Sequence, residues 1–69
     1  MTKNELIQIQ NYMRKTFGSD QIRLMARANK DDSAEVMIGD EFIGVIFRDD
    51  EDEDTSYDFH MTILDVDLA

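Results

Sequence analysis

The chain has 69 residues, neither cysteine nor proline, and a formal net charge of −9 from 16 acidic and 7 basic residues. One domain, 1–69, is all that length allows, and it buries only about 60% of the surface its unfolded chain exposes, without a disulfide or thiolate zinc site as reinforcement. The negative balance argues against nucleic acid and anionic membranes as partners, since both require clustered Lys and Arg, while 42% hydrophobic residues in periodic order argue against general disorder.

Residues 3–17 predict a helix, because Leu6, Ile9, Met13 and Phe17 fall on one stripe. Thr2 and Glu5 have capping-box spacing, Gly18 is a stop signal, and Arg14 and Lys15 suit the negative end of the helix dipole. The opening MTKNEL is polar and lacks the basic-then-apolar pattern of a signal peptide, so the cytoplasm is the expected compartment.

From residue 21 to 28 the period becomes two, with Ile22, Leu24, Ala26 and Ala28 on one side of a strand. NKDDS reads as a turn and residues 34–38 as a second strand. Gly39-Asp40 suits a two-residue hairpin loop into a third strand, 41–48. That loop sets Ile38 opposite Glu41, Met37 opposite Phe42, Val36 opposite Ile43 and Ala34 opposite Val45. Carried across the next loop to a strand at 56–64, the pattern sets Phe47 against Tyr57, Val45 against Phe59 and Ile43 against Met61. Small Ala26, Ala28 and Ala34 leave room for the helix. The expected fold is α+β: an N-terminal helix on one face of a four-stranded antiparallel meander, in order 1-2-3-4.

The opposite face carries Met25, Met37 and Phe42 in a row, with Ile46 nearby and Arg27 placed to pair with Glu35. That exceeds the apolar surface a small sheet needs, and these four residues are the candidate contacts for a protein partner or a second copy of the chain. Arg48 and His60 fall on the same outer face. His60, the single histidine, sits near Asp58, but two side chains do not make a zinc site and no third is placed by spacing.

The run DDEDED, 49–54, reads as a mobile, solvated loop that keeps two sticky strands soluble. Asp50, Asp52 and Asp54 have the spacing of the first EF-hand ligands, yet Thr55 stands at the glycine position and Met61 at the bidentate glutamate position. A weak divalent-cation site from Asp49, Asp50, Asp52 and Asp54 is the alternative. Ser19, Ser33 and Ser56 are turn residues by context, and the chain has no phosphate loop, nucleotide fingerprint or hydrolase motif, so no enzyme and no cofactor are expected.

The segments MRKTFG, KDDSAEVMIGDEFIGVIFRDDEDED and SYDFHMTILDVDL together resemble a family of small bacterial proteins classed as a domain of unknown function. The resemblance spans nearly the whole chain. It implies a free-standing bacterial protein and supplies no catalytic residue. The functional expectation is a non-enzymatic protein–protein interaction module that self-associates through the outer sheet face.

Overall fold

Thr2 and Glu5 close the first helical turn reciprocally: the Glu5 N–H donates to Thr2 Oγ1 at 3.1 Å, and the Thr2 N–H donates to Glu5 Oε1 at 3.0 Å. They start helix α1 (Lys3–Phe17), which Gly18 ends in a left-handed conformation, φ 65° and ψ 36°. The structure, a computed structural model, describes residues 1–51 and 53–69. After α1 come strands β1 (Ile22–Arg27), β2 (Lys30–Ile38), β3 (Glu41–Asp49) and β4 (Ser56–His60), then a single 3₁₀ turn, Asp65–Leu68. The strands form one antiparallel sheet in the order β1-β2-β3-β4, so the fold is the expected α+β meander.

Two local expectations are corrected by turn chemistry. The first hairpin bends at Ala28 and Asn29 instead of across NKDDS, and Asn29 takes φ 62°, a left-handed conformation that Asn adopts at little cost. Lys30 to Ser33 therefore join β2, with a register shift between Ala26 and Arg27. Arg27 donates to Ser33 Oγ at 3.3 Å, and Glu35 lies opposite Met25, in place of the expected Arg27–Glu35 ion pair.

The larger correction is in β3. Pairing leaves the Gly39-Asp40 loop as expected, with Ile38 opposite Glu41 and Met37 opposite Phe42. Val36 then pairs with Gly44 and Ala34 with Ile46, so Ile43 is an extra residue in a β-bulge. Gly44 permits this. A Cβ there would lie 2.3 Å from the His60 carbonyl oxygen and 2.7 Å from Phe59 Cε1, so only glycine lets β3 and β4 approach this closely. Beyond the bulge every β3 side chain changes face: Ile46 and Arg48 turn toward the helix, and Val45 and Phe47 turn outward. Arg48 pairs with Tyr57, Ile46 with Phe59 and Val45 with His60, which replaces the expected β3–β4 register. The fourth strand also stops at His60, short of the expected residue 64.

Ile9, Met13, Ile22, Ala34, Val36 and Ile46 form the buried core, with Leu6, Leu24, Ile43 and Phe59 packed against it. Ile46, expected on the outer contact face, is 4% exposed. Phe17, expected under the helix, is exposed, and its ring meets that of Phe59 edge-on with centroids 6.5 Å apart. Of the three small residues expected to seat the helix, Ala34 is buried, Ala26 is exposed and Ala28 lies in the turn.

The helix lies along the edge strand β1. Gln10 Oε1 accepts from the Leu24 N–H at 3.0 Å and Arg14 Nε donates to the Ile22 carbonyl at 2.8 Å. Two outward-facing backbone groups of β1 are thereby satisfied by helix side chains, which blocks that edge against strand addition. Among the described residues no helix is long and apolar enough to cross a membrane.

Candidate functional site: an open groove beside the helix

Because α1 is tied to the β1 edge, the same face of the sheet stays uncovered over β3 and β4. The result is an open groove of about 430 Å³. Its floor is Ile46, Tyr57 and Phe59; its wall is Ile9, Met13 and Phe17, with Gln8, Tyr12 and Thr16 along the helix rim. The lining is largely apolar, with the Gln8 amide and the Tyr12 and Thr16 hydroxyls on the helix rim and the Tyr57 hydroxyl at the Glu5 end. Such a surface is suited to apolar groups.

One end of the groove is held by a polar cluster. Glu5 accepts from Arg48 Nη1 through both oxygens at 3.1 Å and from the Tyr57 hydroxyl at 2.8 Å, while keeping its bond from the Thr2 N–H. Arg48 Nε also lies 3.6 Å from Asp50 Oδ2. The Thr2 backbone bond, then the Tyr57 and Arg48 bonds, lower the Glu5 pKa from 4.5 to about 2. The Glu5 carboxylate in turn raises the pKa of Tyr57, chiefly by accepting its hydroxyl hydrogen bond. The cluster joins the start of the helix to the ends of β3 and β4 and fixes the groove's width there. Only Glu5 of these three was legible as a structural residue in the sequence, through its capping spacing. Arg48 was assigned to the wrong face; an isolated glycine within the third strand, Gly44, is the signal that would have corrected it.

The outer face retains Met25 and Phe42, both exposed, and Met37, half-buried; Met37 lies between Arg23 and Phe42 in the cross-strand row, and Met25 lies beside Glu35. Phe47 and Val45 take the place expected for Ile46. Phe42, Val45, Phe47 and His60 help line a shallower hollow of about 370 Å³, with the His60 ring edge-on to Phe47 at 5.2 Å.

Among the described residues the acidic run is not gathered into a site. The Glu51 N–H donates to Asp49 Oδ1 at 3.1 Å, and Asp50 faces Arg48. Asp54 is exposed, and Asp52 lies outside the described residues. Among the described residues no three His, Cys, Asp or Glu side chains come together as a metal site.

A helix along one edge of a four-stranded antiparallel meander, with an open apolar groove beside it, defines a small α+β protein. The chain belongs to the family described as "Protein of unknown function (DUF3126)", whose model matches residues 5–67. Neither a curated protein nor a solved structure matches it.

Proposed function

We propose that this chain is a non-enzymatic protein–protein interaction module of the bacterial cytoplasm. One observation carries this reading. Among the described residues thirteen large hydrophobic side chains are exposed, against six hydrophobic residues buried in the core. Single exposed apolar residues are ordinary, but here they cluster: Tyr12, Phe17 and Tyr57 around the groove, Met25, Phe42 and Phe47 on the outer face, and five more in residues 61–68. Apolar surface of that extent on a chain with a narrow stability margin favours coverage by protein.

The test is a set of amide spectra of the isotope-labelled chain, recorded across concentration and in concentrated bacterial lysate, beside sedimentation velocity. Selective broadening of resonances from the groove or the outer face is the expected result. Unperturbed spectra in both conditions, with monomeric sedimentation up to millimolar concentration, would contradict the reading.

A further inference from the structure

The last nine residues, MTILDVDLA, leave the sheet at His60; Met61 still borders Phe17, Ile43 and Phe59, but all nine are exposed. Met61, Ile63, Leu64, Val66 and Leu68 are 54%, 60%, 55%, 72% and 73% exposed. Yet the segment is ordered: Leu64 is extended, with φ −85° and ψ 147°, and residues 65–68 form a 3₁₀ turn, with the Asp67 N–H donating to the Leu64 carbonyl at 2.9 Å. An apolar arm and an apolar groove are thus both unfilled in one chain. Resting on the interaction reading above, we propose that residues 63–68 of a second copy of this chain occupy the groove between α1 and β3–β4, reciprocally, in a two-fold dimer.

Three observations identify a second copy as the occupant. First, the arm leaves its own groove behind. Glu5 meets Tyr57 at one end of the groove and Phe17 meets Phe59 at the other, so the chain runs out past the Phe17 end. Re-entry would need a sharp reversal just after the strand, and residues 60–63, HMTI, hold no Gly, Pro, Asn, Asp or Ser. Second, the dimensions agree. The helix wall from Gln8 to Phe17 is about 14 Å long at 1.5 Å per residue, which accommodates a 3₁₀ turn of about 8 Å and its extended lead-in. Charge does not oppose it: in a chain of net −9 none of the groove's lining residues is acidic, so the arm's Asp65 and Asp67 meet no lining carboxylate.

Third, the surface area is that of an incomplete unit. The accessible surface is 5483 Å², whereas a compact monomer of 8.0 kDa is expected to expose about 4,450 Å². The excess is of the order of the ~800 Å² that each partner contributes to a stable interface. Reciprocal exchange of the arms removes it from both copies through one isologous contact.

The experiment mixes unlabelled chains that carry a spin label at Ala69→Cys with isotope-labelled wild-type chains, and reads relaxation in the labelled copy. Sedimentation of wild type, of Leu64→Asp/Val66→Asp and of Tyr12→Glu accompanies it, with far-UV circular dichroism to confirm folding. The expected result is a wild-type mass twice that of the monomer, and intermolecular broadening at Tyr12, Thr16 and Tyr57. Each variant is expected to be folded, to lose the dimer and to lose the broadening. Tyr12 is 69% exposed, so its substitution leaves the core untouched. A dimer whose broadening falls on Met25 and Phe42 would overturn the arm exchange while leaving the interaction reading intact. A monomeric wild type whose groove resonances shift only in lysate would do the same. A monomer with no response in either setting would overturn both.

Discussion

The two halves of the sheet's inner face are built from one meander and finished differently. Over β1 and β2, Ala34 and Val36 are flush enough for α1 to seat Ile9 and Met13 against Ile22, and Gln10 and Arg14 bond the free backbone of β1. Over β3 and β4, Ile46 and Arg48, turned inward by the bulge, join Tyr57 and Phe59 of β4 on a face that the helix, seated along β1, leaves open. A short chain has one helix to place. By spending it on an edge strand, which otherwise invites aggregation, it leaves an apolar groove on the other half. The groove is therefore a consequence of edge protection combined with the bulge.

The contrast breaks most completely at Gly44. Gly44→Val drives a branched side chain into the His60 carbonyl and the Phe59 ring, at a cost of about 3 kcal/mol or more. That is between about a third and nearly all of the roughly 3–10 kcal/mol available to a domain of this size. Urea unfolding is expected to show a collapse of the transition midpoint, with amide exchange lost first in β3 and β4; a midpoint near that of wild type would mean the two strands do not approach so closely.

A gentler probe is the cluster that pins the groove's end. Glu5 has its folded-state pKa lowered from 4.5 to about 2. Folding therefore favours its ionised form: the contribution is present above pH 4.5 and is lost as the pH falls toward 2. Glu5→Gln is expected to remove this group's share of the acid sensitivity of Tm between pH 4.5 and 2, leaving the profile flatter than wild type there. Wild-type and variant profiles that run parallel through that window would contradict the assignment. At high pH the sign reverses: Tyr57, with its pKa raised above the usual 10.0, contributes below pH 10 and loses that contribution as its hydroxyl ionises.

Much of the fold was legible because it rests on local rules. The capping box, Gly18, the period-two runs and the Gly39-Asp40 loop each act within a few residues, and they yield the helix, the strands and their order. The β3 face assignment failed because it propagated strict alternation through Gly44. One extra residue inverts every side chain beyond it, so Ile46 and Arg48 were read as outward and Val45 and Phe47 as inward. The Met37–Phe42 pair was placed correctly because it precedes the bulge, but the row does not extend to Met25, which lies opposite Glu35 while Arg23 stands opposite Met37. The groove was not legible at all, since it depends on which edge of the sheet the helix selects, and that is decided by Gln10 and Arg14 meeting backbone groups distant in sequence. Nor was the exposure of the arm, whose residues 61–64 were read as the remainder of the fourth strand.

Two neighbouring alanine substitutions test the inversion that creates the groove floor. With Ile46 buried and Phe47 37% exposed, Ile46→Ala is expected to cost about 2–5 kcal/mol in urea unfolding, and Phe47→Ala clearly less. If Phe47→Ala proves the more damaging, β3 runs without its bulge, and Ile46 faces solvent instead of the helix.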